Sequence, residues 1–228
     1  SIANTESSWT LTGQVIDASA FNADGTVPEF GTIVSTGNIT IGGIQFELQN
    51  TYTLPEDKGF IEITSRIKNI DTQSATNVRM WVGTRDDYVG WDDGPTKVKG
   101  NIENGEFVQI SSQSERATAL QVYSGNEAVL FYSTSPNGNT SISWCCSFSN
   151  AINQNPSTSP ISLTGDGSYC YFMRLNDLAP GESDEVVWYY AAGSLADIAD
   201  IIQDVAEASG AVSNTTYTSA DFKATVTT

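Results

Sequence analysis

The chain has 228 residues, 27 acidic side chains against 10 basic ones, a formal net charge of -17 and no histidine. Such a charge repels phosphate backbones and anionic bilayer surfaces, which excludes nucleic acid and membranes as ordinary partners. Without imidazole there is no Ser–His or Cys–His nucleophile pair and no histidine-held metal, while 39% hydrophobic and 16% charged residues describe a folded domain rather than an acidic tail.

No apolar stretch reaches the roughly 20 residues of a membrane-spanning helix, so insertion is not expected. A chain that opens on Ser1 without a basic-then-apolar leader is expected to be a processed product. Its length fits one domain over 21–228, preceded by an extension over 1–20. In that extension Trp9, Leu11 and Val15 alternate with polar residues, which predicts a strand. A polar lead before it and a turn-rich break over 22–29 make this strand detachable. If it adds to a neighbour's sheet, Trp9, Leu11 and Val15 are its subunit-interface anchors.

Two apolar-alternating runs flank Gly42-Gly43, which predicts either a hairpin or a bulge in one bent strand. The run 60–67 places Ile61, Ile63 and Ile67 on one face. Further strands are predicted over 77–82, 106–110, 120–123, 128–132, 141–148, 169–175, 185–191 and 217–226. Turn residues separate them, which is the pattern of an antiparallel β-sandwich of jelly-roll or supersandwich-like type. A helix is predicted over 194–209, with Leu195, Ile198, Ile202 and Val205 on its apolar face, Ser194 and Asp197 at its start and Gly210 at its end.

Residues 63–82, with a polar turn after Asn69, and 176–190, with the turn Leu178-Ala179-Pro180-Gly181-Glu182, resemble bacterial surface immunoglobulin-like and supersandwich domains. The resemblance implies a secreted or cell-surface sandwich used for adhesion, spacing or fibre building, and it supplies no catalytic residues. The helix after the second motif departs from the simple immunoglobulin-like pattern.

The loop 85–97 gathers Asp86, Asp87, Asp92 and Asp93 with Tyr88 and Trp91. Carboxylates in a glycine-broken loop are candidate Ca²⁺ ligands, though their spacing is not that of an EF-hand. Tyr88 and Trp91 are candidate stacking platforms for sugar rings. The competing structural reading is a solvated acidic loop whose Asp residues pair with Arg79, Arg85 or Lys97. Asp86/Asp92 or Asp87/Asp93 as a glycosidase pair is the remaining enzymatic option, but a non-catalytic protein is expected.

Asn38, Asn139 and Asn214 each open an Asn-x-Ser/Thr tripeptide, and Asn139 sits in a turn-forming cluster expected to be exposed. Cys145 and Cys146 are adjacent in one predicted strand and Cys170 lies in another. Neighbouring strand residues point to opposite faces, so one disulfide between Cys145 or Cys146 and Cys170 is expected. Disulfide, sequons and low lysine point outside the cell. The function expected from the sequence is therefore a non-catalytic subunit of an extracellular glycosylated filament, joined to copies of itself by strand donation. The alternative is a carbohydrate-binding or calcium-dependent adhesive domain.

Overall fold

A computed structural model of the protein describes residues 30–146 and 155–210, and the backbone alone of 10–16. The first four strands, β1 (Thr10–Ile16), β2 (Gly31–Ile41), β3 (Ile44–Leu54) and β4 (Phe60–Asn69), run as a meander. The chain then alternates between two sheets. β5 (Arg79–Thr84) enters the second sheet, and β6 (Thr96–Glu103), β7 (Glu106–Gln109), β8 (Ala119–Ser124) and β9 (Glu127–Tyr132) return to the first. β10 (Gly138–Trp144) and β12 (Gly167–Arg174) complete the second sheet, while β11 (Ser162–Thr164) and β13 (Ser183–Ser194) belong to the first. The helix α1 (Asp197–Ala208) follows.

Among the described residues the large sheet has the order β1-β2-β3-β4-β13-β9-β8-β6-β11, with β7 also on β6, and the small sheet β10-β12-β5. The protein is thus an antiparallel β-sandwich with a covering helix. Residues of β9 show why three layers form. Ala128, Leu130 and Tyr132 pack with α1, whereas Val129 and Phe131, on the opposite face, pack with Ile142 and Tyr169 of the small sheet. A central strand buried on both faces must be apolar at successive positions, and β9 is. Phe131 adds edge contacts to Tyr169 and Tyr190 at 5.3 and 5.0 Å, and lies parallel to Trp188 at 6.1 Å.

The helix forms where its apolar spacing predicts, but Leu195 precedes it and is exposed; Ile201 and Ala206 join Ile198, Ile202 and Val205 in the buried stripe. Each fully buried aliphatic side chain contributes about 1.5–3 kcal/mol, so the stripe holds α1 against the sheet. Ser194 Oγ accepts the Asp197 N–H at 3.1 Å and donates to its carboxylate at 2.6 Å. That satisfies an otherwise orphaned helix donor.

Gly42 and Gly43 have φ of +61° and +84°, so the pair is a two-residue hairpin turn and not a bulge. The turns that follow β4 and precede β13 are tied together. Asn69 is fully buried, its side-chain amide donating to the carbonyls of Gln73 and Leu178 at 2.7 and 2.9 Å. Ala75 and Leu178 exchange two backbone hydrogen bonds of 2.8 Å beside it.

Several sequence expectations change place. β1 is hydrogen-bonded to β2 of its own chain, with Leu11 opposite Gly37 and Val15 opposite Val34. The expected donor strand therefore completes the edge of its own sheet. Trp9, Asn214 and the strand expected over 217–226 lie outside the described residues. Asn38 is in β2. Asn139 is in β10 rather than an exposed turn, its side-chain carbonyl accepting from the Ala117 and Thr140 N–H groups at 3.0 and 2.9 Å. The predicted bridge to Cys170 does not form: Cys145 and Cys146 are bonded to each other, and Cys170 is a buried free thiol. The strand expected over 141–148 ends at Trp144, which sets both cysteines beyond the ladder instead of on its opposite faces.

β6 escapes prediction altogether. It reads Thr-Lys-Val-Lys-Gly-Asn-Ile-Glu, yet Lys97 and Lys99 are both fully buried on one face. Apart from the neighbouring Pro95 carbonyl, their partners lie in segments that only the fold brings beneath them.

Candidate functional site

The end of the sandwich built from the β5–β6 loop, the end of β10 and the β11–β12 turn is organised around a buried ion pair. Lys97 Nζ donates to Asp87 Oδ2 and to the carbonyls of Pro95 and Gly165 at 3.1 and 2.6 Å. The other Asp87 oxygen accepts the Gly167 N–H at 2.7 Å. Both side chains have no exposed surface. Burial pushes the Asp87 carboxyl upward, while Lys97 and the Gly167 amide pull it down. All three ammonium protons are used, so the pair fastens the β5–β6 loop to the β11–β12 turn.

Above this anchor the loop closes a two-residue hairpin. Val89 and Asp92 exchange backbone hydrogen bonds of 3.1 Å, with Gly90 at φ +60° and Trp91 at the tip. Val89 is buried in the inter-sheet core, so the tip is held outward. Asp92 braces the hairpin by accepting from Ser124 Oγ and from the Gly94 N–H at 2.9 Å. Those hydrogen bonds hold its carboxyl below the ordinary range.

Three aromatic rings stand exposed here. Trp91 is 101% exposed, Trp144 60% and Tyr88 58%. The Tyr88 hydroxyl bonds Asp93, which raises its pKa. Trp144 lies over Gly165: a Cβ added there would sit 3.0 Å from the indole ring. Asp166 follows directly, and burial together with the charges of Asp93 and Asp86 raises its carboxyl pKa. Asp86, Asp93 and Asp166 therefore lie near one another and near Tyr88.

The four carboxylates expected to share a calcium ion do not act together. Asp87 is committed to Lys97, and Asp92 braces the hairpin. Each carboxylate pair considered for glycoside hydrolysis thus contains one residue with such partners, Asp92 in one and Asp87 in the other. What gathers instead is Asp86, Cys145, Cys146 and Asp166, whose ligand atoms all lie within 4.8 Å of one another. Tyr88 and Trp91, the candidate stacking residues, are both exposed. Trp144 and Asp166 were not foreseen: Trp144 shares a strand face with buried Ile142, and alternation alone sends it inward.

No family model matches the chain, and no curated protein matches it. Solved structures similar to it include a protein described as a kojibiose phosphorylase from the human microbiome, at 12% identity and a TM-score of 0.44 over 84% of this chain. Another, described as an aldose 1-epimerase from Escherichia coli K12, has 10% identity and a TM-score of 0.42 over 82% of this chain. A galactose mutarotase-like protein from Lactobacillus casei has 10% identity and a TM-score of 0.36 over 71%. The chain spans 22% of the first protein, 69% of the second and 70% of the third. At such identities and TM-scores the likeness is one of general β architecture and assigns no activity.

Proposed function

We propose that this protein is an extracellular glycan-binding domain whose ligand rests on Trp91, Trp144 and Tyr88. The supporting observation is the exposure of these three rings at one end of the sandwich. Burying any of them would contribute several kcal/mol to folding, and the hairpin and Gly165 hold them outward instead. Sugar rings present C–H faces that stack on indole and phenol. The carboxylates of Asp86, Asp93 and Asp166 accept hydroxyl hydrogen bonds beside them. Their charge, within a chain of net charge -17, favours neutral or amino sugars over sulfated or uronic ones.

Titration calorimetry against neutral oligosaccharides tests this. Trp91→Ala and Trp144→Ala are each expected to weaken binding at least about tenfold with melting unchanged, as stacked aromatic anchors do. Retention of full affinity by the double variant would remove the proposal.

A second reading, the self-assembling filament, draws support from the position of β1. Among the described residues it is an edge strand paired with β2 alone, the place from which a strand exchanges between copies. Fibres in negatively stained native material that vanish on deleting residues 1–16 are its expected signature; a strictly monomeric full-length chain in light scattering contradicts it.

A further inference from the structure

We propose that Asp86, Cys145, Cys146 and Asp166 form a redox-gated site for a thiophilic divalent cation of the zinc class. This site shares Asp86 and Asp166 with the sugar reading but does not rest on it. Its four groups come from three segments: the β5–β6 loop, the residues after β10 and the β11–β12 turn. Cys145 Sγ lies 3.9 Å from Asp86 Oδ1, and Cys146 Sγ lies 3.9 Å from Asp166 Oδ1. Zinc bonds of about 2.3 Å to sulfur and 2.0 Å to oxygen place tetrahedral ligands roughly 3.3–3.8 Å apart, sulfur to oxygen about 3.5 Å. The two sulfur–oxygen separations need only a slight contraction, while the two sulfurs, now joined, must part to about 3.8 Å once reduced.

Two sulfurs with two carboxylate oxygens suit a borderline-soft ion and not Ca²⁺ or Mg²⁺, which take oxygen alone. The ligands are also held from behind. Asp86 precedes Asp87, and Asp166 precedes Gly167, the two residues that the buried Lys97 cluster joins. The Cys145 N–H donates to the Asp166 carbonyl at 3.2 Å, so the third segment is tied to the second. This supporting shell is what a metal site uses to orient its ligands.

The gate is the bond between the two sulfurs. While Cys145 and Cys146 are joined, neither offers a thiolate. A phosphine reductant and one water convert the disulfide to two thiols and the phosphine oxide, a two-electron exchange. Binding of Zn²⁺ then displaces both thiol protons and leaves two thiolates on the metal. A small-molecule disulfide as two-electron oxidant, itself reduced to two thiols, rejoins Cys145 and Cys146 by thiol–disulfide exchange, releases the Zn²⁺ and withdraws both sulfur ligands at once.

The test is a Zn²⁺ titration of the full chain against a competing chromophoric chelator, on oxidised protein and on phosphine-reduced, desalted protein held without air. Co²⁺ serves as a spectroscopic substitute. The reduced chain is expected to bind one Zn²⁺ at least about a hundredfold more tightly than the oxidised chain. With Co²⁺ it should show thiolate charge-transfer absorption and tetrahedral visible bands. Asp86→Asn and Asp166→Asn, both exposed positions, should each weaken reduced-chain binding at least about tenfold without altering the melting temperature. Equal affinity in the two redox states overturns the proposal. So does full affinity in the double Asn variant, which would reduce the site to a bare dithiol. If a variant folds poorly, the wild-type Co²⁺ spectrum decides: octahedral bands without thiolate charge transfer exclude the site.

Discussion

Replacing Asp87 by Ala is expected to destabilise the protein by about 3–5 kcal/mol, read as a shift of the urea midpoint at constant slope. The carboxylate has no exposed surface and accepts from Lys97 Nζ and from the Gly167 amide. Its removal leaves an ammonium ion and a backbone N–H without their partner, in a place water does not reach. The carbonyls of Pro95 and Gly165 remain to Lys97, but dipoles do not neutralise a buried charge. The companion variant Asp87→Ala with Lys97→Met removes the charge and keeps an unbranched chain of similar reach. It is expected to recover most of the loss, because replacing a whole buried pair by apolar groups costs far less than breaking one. A loss below about 1 kcal/mol in Asp87→Ala alone would mean that the pair is hydrated in solution. Because the pair fastens the loop bearing Tyr88 and Trp91, the single variant should also weaken the proposed glycan binding.

Stability is expected to depend on pH through Lys99, with a sign opposite to that of an ordinary ion pair. Lys99 is fully buried, its Nζ donating to the Pro156 carbonyl at 2.7 Å and to Ser159 Oγ at 3.0 Å. Burial lowers its pKa to about 8 from the 10.5 of an exposed lysine, with a small opposing effect of Cys170. Between those values the unfolded chain carries the proton and the folded chain does not, so stability rises with pH. The neutral amine still supplies both hydrogen bonds, and the gain should be about 2 kcal/mol from pH 7 to pH 10. Cys170 works the other way, because burial pushes its thiol up and its ionisation favours unfolding above the ordinary thiol range. The stability of the wild type minus that of Lys99→Met isolates the lysine, since Cys170 and the buried tyrosines are common to both. That difference should climb through this window. A flat difference would show that Lys99 keeps its charge when folded.

The two lysines explain where sequence reasoning stopped. Periodicity located the core strands: alternation over Ile61, Ile63 and Ile67 placed β4, the apolar run 128–132 placed β9, and the spacing of Ile198, Ile202 and Val205 placed α1. Each of these signals is local, because a face buried against any apolar layer has the same pattern. β6 was missed because Lys97 and Lys99 look like solvent residues until Asp87, Pro156, Ser159 and Gly165 are brought to them. The acidic aromatic loop was legible as a candidate site, since Trp91 beside Gly90 in a hairpin has nowhere to bury itself. How its carboxylates divide was not: Asp86, Asp87, Asp92 and Asp93 are alike in sequence, and differ only in which distant donor each meets.

The sequence by itself determined a strongly acidic, histidine-free antiparallel β-sandwich with a helix near its C-terminal side, because charge, composition and repeat period are properties of neighbours along the chain. Tertiary structure decided that Cys145 pairs with Cys146, that Trp144 emerges beside Asp166, and that Asp87 is an anchor and not a ligand. The last two outcomes depend on contacts with the β11–β12 turn, tens of residues away, where desolvation and hydrogen-bond partners are set by the fold, and the first depends on β10 stopping at Trp144.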